Sequence, residues 1–170
     1  RDTGTPAMML ENCCYGRVEQ TLYSRNDDGF FGDIVQLCGV YCHDLREEIS
    51  MGLINRHYRH RNYRSRNCEN YPTHELGPIA RLLNINRGNQ MISLVSVASK
   101  AAGMPDFISR HADQYPDLVG KEFRQGDIVN TTITCANGAT ASFTVEAQGD
   151  TLKYQWYASS DGGETWTATY

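Results

Sequence analysis

The spacing of apolar residues along the first 32 residues predicts a strand, a helix and a turn. Residues 7–10 form a short apolar run that ends abruptly at polar residues, which is typical of a buried strand with polar side chains at its carboxyl end. Val18 and Leu22 then recur at helical spacing before glycines stop the pattern. We therefore predict a helix within residues 16–29.

The next segments are predicted as a strand and a long loop. Residues 33–43, DIVQLCGVYCH, are rich in β-branched residues and alternate with a period of two, which predicts a strand. Tyr41 and His43 would project together from one face at its end. The segment 54–74 interleaves Arg, His and Tyr without apolar periodicity. We predict an ordered loop there, and such loops are usually functional.

The second half of the chain adds a helix, a strand and a hairpin. Pro78 suits the first turn of a helix over the apolar residues that follow it, which would place His74 just ahead of the helix. Residues 90–99 read as a strand, and TTITC and ASFTVEA flank an Asn-Gly turn at 137–138 that predicts a hairpin. Because helices and strands neither alternate cleanly nor repeat, the predicted fold class is α+β.

Composition and charge exclude several classes of function. The 16 Lys and Arg against 20 Asp and Glu give a formal charge of −4, so we predict no nucleic-acid partner. No run approaches the roughly 18 apolar residues of a membrane span. The six cysteines contain no CxxC pair, so we predict no metal site and expect buried free thiols rather than a disulfide framework. No G-x-G-x-x-G dinucleotide cradle occurs.

Candidate chemistry is concentrated around two titratable residues. Tyr71 and His74 lie three residues apart on one irregular turn and could face the same bound molecule. A histidine beside a helix amino terminus has its charged form disfavoured, which keeps it available as a base. Packing of both side chains against a loop is the structural alternative, and the residues alone leave both interpretations open.

Five segments, taken in order, resemble one known family. They are MMLENCCYGR, GVYCHDLREEI, NRHYRHRNYRSRN, YPTHELGPIARLLNINRGN and SLVSVASKAAG. Together they are similar to the Gfo/Idh/MocA family, and closely to its branch of NAD-dependent glycosidases, glycoside hydrolase family 109. The resemblance implies that residues 1–32 are the last strand and helix of a Rossmann domain. It also implies that residues 33–138 form an incomplete substrate domain with an open, mostly antiparallel sheet and helices.

The resemblance further implies a chemistry and a set of site residues. In such glycosidases NAD oxidises the sugar at C3, elimination expels the C1 substituent, water adds, and the hydride returns. Carried over by position, His74 looks like the base near the C3 hydroxyl and Tyr41 like a second acid/base. The same comparison gives substrate contacts to Tyr41, Arg59, Tyr71, Thr73 and His74, and cofactor contacts to Glu11, Asn12 and Tyr71.

Residues 139–170 have a different character and leave the function open. They resemble the first half of a bacterial immunoglobulin-like repeat, a partial β-sandwich, which favours a periplasmic or extracellular location. The chain is therefore expected to be a fragment of an alpha-N-acetylgalactosaminidase, inactive alone, that takes a sugar substrate and associates through its open sheet. A sugar oxidoreductase of the same fold and a surface adhesion or carbohydrate-binding module remain alternatives.

Overall fold

The structure is a computed structural model of the chain that describes residues 3–8, 10–146, 156–158 and 167–169. Its helices are α1 (Arg17–Asp27), α2 (Arg46–Ser50), α3 (Gly52–Asn55), α4 (Tyr58–Ser65), α5 (Pro72–Leu82) and α6 (Gly103–Arg110). Its strands are β1 (Gln36–Cys42), β2 (Met91–Ala98), β3 (Ile128–Cys135), β4 (Thr140–Glu146), β5 (Trp156–Ala158) and β6 (Thr167–Thr169). Single 3-10 turns cover Asn12–Tyr15 and Pro116–Leu118.

Strands β1 to β4 form one open sheet in the order β1-β4-β3-β2. β1 pairs with β4 in parallel, with Gln36 opposite Thr140, while the β4-β3 and β3-β2 pairs are antiparallel. β5 and β6 form a separate two-stranded antiparallel ladder. The mixed composition and the open, mostly antiparallel sheet confirm the predicted fold class.

Helix α5 covers one face of this sheet. Alternation along β3 and β4 turns Ile133, Ala141 and Phe143 toward the same face, as the period of two in a strand requires. Ile79 and Leu83, at and just after the end of α5, pack against these side chains in one buried cluster. Helix α5, whose first turn contains His74, is thereby fixed to the sheet that carries Tyr41.

A second buried cluster joins α2, α4 and α6, and it corrects the predicted loop over residues 54–74. Ile49, Tyr63 and Phe107 are buried together in this cluster. His60 and Tyr63 are both buried and lie three residues apart, so α4 has a narrow buried stripe. The sequence pattern hides this stripe because His and Tyr are interleaved with exposed arginines.

Helix α5 begins at Pro72, and the predicted start near Pro78 is wrong. Pro72 occupies the first turn, where its missing N–H costs nothing, and Pro78 lies inside the helix. The ring at position 78 cannot donate the hydrogen bond that the carbonyl of His74 would accept in a regular helix. His74 is therefore a residue of the first turn of α5 rather than of the segment before it.

The predictions for the first 32 residues have different outcomes. The helix is confirmed as α1, although Val18 is 66% exposed and Tyr23 is the buried residue of the helix. The strand predicted over 7–10 is wrong for residues 7, 8 and 10, and residue 9 lies outside the described residues. A parallel strand needs a hydrogen-bonding neighbour, and no described strand pairs with this segment.

The hairpin around residues 137–138 is confirmed and belongs to the sheet. Gly138 has a φ of +87°, which a glycine adopts without steric cost. β4 pairs with both β1 and β3, so the domain boundary predicted at 138 falls within this hairpin. Most of residues 147–170 lie outside the described residues. The three-part division of the chain and the immunoglobulin-like tail stay predictions.

The expectation that the six cysteines are buried is wrong for most of them. Cys135 is buried, whereas Cys38 and Cys42 lie on the exposed face of β1. Alternation along β1 gives Leu37, Gly39 and Tyr41 the covered face. The face that carries the two thiols has no covering element among the described residues.

The edge strand β2 exposes apolar side chains on both of its faces. Ile92, Leu94, Val95 and Val97 are between 58% and 64% exposed. β2 pairs only with β3 among the described strands, so its other edge is open. An open edge with exposed apolar residues is what the sequence analysis expected, and such edges favour pairing with a further strand.

Replacing Ile133 with alanine tests whether the α5-sheet cluster dominates stability. Ile133 is fully buried, so Ile133→Ala should destabilise the chain by about 2–5 kcal/mol through lost packing and a residual cavity. Val95→Ala on the exposed edge strand should change stability by less than about 0.5 kcal/mol. Urea unfolding of both variants measures the difference, and similar losses would contradict the assigned core.

Candidate active site

Three rings from two distant segments form one cluster between the end of β1 and the first turn of α5. The ring centroid of Tyr41 lies 4.8 Å from that of His74 and 5.1 Å from that of Tyr71. Tyr71 and His74 are 5.0 Å apart. The structure thus brings together the residues that the sequence analysis singled out as catalytic and substrate-binding.

Close packing of α5 on β1 produces this arrangement. A Cβ atom at position 39 would lie 3.0 Å from Cβ of Glu75 and 3.4 Å from Cδ1 of Ile79, so only glycine permits this approach without a shift. Tyr41 follows two residues later on the same face of β1. His74 immediately precedes Glu75 on α5, which sets its ring beside that of Tyr41.

Glu11 orients His74 from the other side. Oε1 of Glu11 lies 2.7 Å from Nδ1 of His74 and 3.1 Å from the backbone nitrogen of Cys13. Burial acts to raise the pKa of Glu11, but hydrogen bonds from Thr73, Cys13 and His74 hold this pKa below its ordinary value. An ionised carboxylate only accepts, so Nδ1–H of His74 donates to it and Nε2 keeps the lone pair.

Tyr41 has a proton-accepting neighbour. Its hydroxyl lies 3.2 Å from Nδ1 of His43, at the end of the same strand. Burial, followed by the influence of Cys13, raises the pKa of Tyr41 above its ordinary value despite the opposing charge of Arg59. Tyr41 is therefore protonated at neutral pH, and a hydrogen bond to His43 gives its proton a destination.

Arg59 reaches the cluster from α4. Its guanidinium lies 5.0 Å from the ring centroid of Tyr71 and 5.3 Å from that of Tyr58, both within cation–π range. Glu48 forms a salt bridge with Arg59 and accepts from Nε2 of His57 at 2.9 Å. The positive charge next to Tyr71 is thus held in place by a carboxylate on α2.

The remaining predicted site residues lie near the cluster but contribute differently. Thr73 is exposed and acts on Glu11 through its side chain. Asn12 is exposed at the start of the 3-10 turn that Glu11 caps. Sequence reasoning noticed His43 without assigning it a role, and it missed Glu48. The signal available for Glu48 was its position ahead of an arginine-rich segment.

Comparison with known proteins assigns the chain to a family. The model of the C-terminal domain of glycosyl hydrolase 109 matches residues 15–150. The chain belongs to the glycosyl hydrolase 109 family. The resemblance given by the five sequence motifs is thereby confirmed, and the matched region includes α5, α4 and all four strands of the sheet.

Curated relatives of this glycosyl hydrolase 109 chain extend well beyond it. An alpha-N-acetylgalactosaminidase of Tannerella forsythia is 35% identical over 161 residues, covering 84% of this chain and 34% of the relative. An alpha-N-acetylgalactosaminidase of Bacteroides fragilis is 35% identical over 135 residues, covering 77% and 32%. A glycosyl hydrolase family 109 protein of Stenotrophomonas maltophilia is 36% identical over 156 residues, covering 81% and 34%. The chain therefore spans about a third of each relative.

A solved structure is also similar in shape. Myo-inositol 2-dehydrogenase from Lactobacillus plantarum has a TM-score of 0.44 and 10% identity, covering 79% of this chain and 34% of that chain. At this TM-score the likeness supports no conclusion about function. None of the described helices has the length and apolarity that a membrane crossing demands.

The glycosyl hydrolase 109 domain carries groups of the type that a nicotinamide cofactor requires at one end, but it lacks a glycine-rich phosphate-binding motif. The half-buried ring of Tyr71 and the carboxylate of Glu11 are suited to the nicotinamide and sugar end, where a flat ring and a proton acceptor are needed. A glycine-rich phosphate cradle is absent from the 170 residues.

Glu75 is a buried carboxyl group directly behind the cluster. It is 5% exposed, and no side chain of the described residues forms a hydrogen bond with its oxygens; the backbone N–H of Tyr41 acts on it and opposes part of the pKa shift. Burial, reinforced by the nearby carboxyl of Glu69, raises the pKa of Glu75 to about 8. The side chain that packs on Gly39 is thus neutral over most of the physiological pH range.

This raised pKa predicts a pH-dependent stability. Folded Glu75 keeps its proton up to about pH 8, whereas the unfolded side chain loses it near the ordinary value of 4.5. Stability should therefore fall as pH rises between these values and level off above pH 8. Between pH 5 and pH 8 we expect the unmodified chain to lose about 1–3 kcal/mol more than Glu75→Gln.

Thermal and urea unfolding at pH 5, 7 and 8 measure this difference. Glu122→Gln serves as the matched control, since the carboxylate of Glu122 is 72% exposed and forms an ion pair with the exposed Arg124. That variant should follow the pH curve of the unmodified chain. Parallel curves for Glu75→Gln would contradict the raised pKa.

Proposed function

We propose that this chain is the substrate-side part of an NAD-dependent glycosidase that acts on alpha-N-acetylgalactosaminides by transient oxidation at C3 and elimination. The observation that carries the proposal is the contact between His74 and Glu11, 2.7 Å long, beside the ring of Tyr41. The names of the relatives from Tannerella forsythia and Bacteroides fragilis support the substrate class.

His74 serves as the base for the C3 hydroxyl. With Nδ1–H donating to Glu11, the lone pair of Nε2 is available to take a proton from a sugar hydroxyl. The imidazolium that forms is stabilised by the adjacent carboxylate. Loss of this proton prepares C3 for oxidation, and the same nitrogen returns the proton when the hydroxyl is restored.

Tyr41 and His43 handle the proton at C2. A phenol with a raised pKa is a poor base by itself. The hydrogen bond to His43 removes this obstacle, because the phenol oxygen can accept the C2 proton as its own proton passes to Nδ1. His43 stores that proton while the C1 substituent leaves as an alkoxide. When water adds across the C1–C2 double bond, its hydroxide bonds to C1, its proton goes to the departed alkoxide, and the relay runs in reverse to return the stored proton to C2.

Arg59 and Tyr71 hold the sugar. Arg59 lies over Tyr71 and has five N–H donors, of which Glu48 occupies part. The others are suited to ring hydroxyl or acetamide oxygens. Thr73 supplies a further hydroxyl at the exposed start of α5.

Glu11, Asn12 and Tyr71 are proposed to contact the nicotinamide end of NAD, which supplies hydride acceptance and return when bound. The chain brings the acid/base and sugar-binding groups and lacks the phosphate cradle. It is therefore proposed to be inactive alone. Association through the open β2 edge and a periplasmic or extracellular location are further expectations that accompany this proposal.

Replacing His74 tests the assigned base in the full-length protein that carries this chain. His74→Ala should lower kcat for nitrophenyl alpha-N-acetylgalactosaminide about 10²- to 10⁴-fold, because the proton of the C3 hydroxyl loses its acceptor. His111→Asn is the control, since His111 stacks on Phe107 and lies outside the cluster. Unchanged nitrophenol release in His74→Ala would remove His74 from the mechanism.

The same assay separates the alternative of sugar dehydrogenation. The observation that keeps this alternative is the His74–Glu11 pair, which would assist oxidation of a sugar hydroxyl whether or not elimination follows. A glycosidase releases nitrophenol without accumulating NADH. NADH accumulation without nitrophenol release would favour the oxidoreductase.

Titration of the 170-residue chain with NAD tests the assignment of the cofactor site. Isothermal titration should show no tight binding, because a pyrophosphate needs a cradle of backbone N–H groups that this chain lacks. The full-length protein should bind NAD under the same conditions. Micromolar affinity of the isolated chain would contradict the claim that the phosphate site lies elsewhere.

A further inference from the structure

Three side chains of different chemistry converge at one edge of the aromatic cluster. One ligand atom each from Glu11, Cys13 and His74 lies within 4.8 Å of the other two, and all three residues are half-buried. Cys13 has no part in the proposed catalysis. A carboxylate, a thiol and an imidazole gathered this closely are the ligand types that divalent ions of the zinc group select.

We propose that Glu11, Cys13 and His74 form a binding site for Zn²⁺ or an ion of similar preference, and that the bound ion inhibits the enzyme. The sequence analysis predicted no metal, because it considered only cysteines paired in the CxxC pattern. This site escapes such searches because its third ligand is 61 residues from Cys13 along the chain.

The spacing of the three ligand atoms is close to what a tetrahedral ion requires. Bonds of about 2.0–2.3 Å to N, O and S place ligand atoms about 3.3–3.8 Å apart. Oε1 of Glu11 and Nδ1 of His74 are at 2.7 Å and must separate slightly, and Sγ of Cys13 lies within 4.8 Å of a ligand atom of each of the other two residues. Half-burial leaves one side of the site accessible for the entry of an ion and a fourth, water ligand.

Two ordered elements hold the ligands in place before any ion arrives. Glu11 caps the 3-10 turn in which Cys13 lies, and the backbone N–H of Cys13 donates to its carboxylate. His74 belongs to the first turn of α5. A Cβ atom at position 77 would lie 2.7 Å from Sγ of Cys14, so the turn and the helix are in close contact.

A metal ion bound to Nδ1 of His74 would inhibit the enzyme by removing its proposed base. This part of the inference rests on the proposed function. An ion on Nδ1 needs the lone pair there, so the imidazole proton must reside on Nε2. His74 then has no free lone pair for the C3 hydroxyl. The thiol of Cys13 releases its proton to solvent when the sulfur–metal bond forms.

Cys14 supplies a matched control. Its sulfur lies next to Gly77 and interacts with the hydroxyl of Tyr23, and Cys14 is not one of the three clustered residues. Cys38 is a second control, because it lies on the exposed face of β1. A site built as proposed depends on Cys13 and on neither control.

The test is a titration of the reduced 170-residue chain with Co²⁺, the spectroscopic substitute for Zn²⁺. One Co²⁺ per chain should bind, with a near-ultraviolet thiolate-to-cobalt charge-transfer band and the visible bands of a four-coordinate ion, and Zn²⁺ should displace it. Cys13→Ser should abolish the charge-transfer band and weaken binding at least about tenfold. His74→Gln should weaken binding similarly, while Cys14→Ser and Cys38→Ser should retain the band.

Absence of a charge-transfer band in the unmodified chain would overturn the proposal without reference to any variant. Persistence of the band in Cys13→Ser, or its loss in Cys38→Ser, would also overturn it. Circular dichroism of each variant establishes that it is folded. Because no substrate is used, failure here leaves the proposed glycosidase function untouched, and failure of that function leaves metal binding untouched.

Discussion

The approach of α5 to β1 at Gly39 is the constraint on which the candidate site depends. A Cβ atom at position 39 would lie 3.0 Å from Cβ of Glu75, so a side chain there would require the helix or the strand to shift by a few tenths of an ångström. Tyr41 lies two residues after Gly39 on the same face of β1, and His74 immediately precedes Glu75 on α5. Their ring separation of 4.8 Å is a consequence of backbone packing rather than of a direct bond between them.

A second close approach, at Gly77, fixes the opposite side of His74. A side chain there would meet Sγ of Cys14 at 2.7 Å and Cγ of Glu11 at 3.1 Å. The 3-10 turn therefore rests directly on α5, and the carboxylate of Glu11 reaches the imidazole. The close approaches at Gly39 on β1 and Gly77 on α5 thus place His74 between the carboxylate of Glu11 and the phenol of Tyr41.

Sequence reasoning succeeded where the signal was local and failed where burial came from distant contacts. The alternation along β1 and the turn chemistry of the hairpin predicted those elements. The motifs around Tyr41 and His74 singled out residues that the structure brings together, and their roles stay predictions. The helix within 54–74 was missed because its buried stripe consists of polar-looking aromatic residues. Glu48 was missed because its salt bridge joins it to Arg59 on another helix. Glu75 was missed because its burial against the sheet cannot be read from sequence spacing.

The two acid–base pairs of the site are built for different tasks. Glu11 has a lowered pKa and accepts from Nδ1 of His74, which leaves a lone pair on Nε2 and favours proton removal from a hydroxyl. Tyr41 has a raised pKa and a hydrogen bond to His43, which favours a proton that is passed along rather than permanently lost. An elimination followed by water addition needs both kinds of group, since one proton must be held through oxidation and another exchanged at the neighbouring carbon. In the proposed mechanism, a simple dehydrogenation would need only the first pair, so the Tyr41–His43 hydrogen bond supports the proposal of a glycosidase over that of an oxidoreductase.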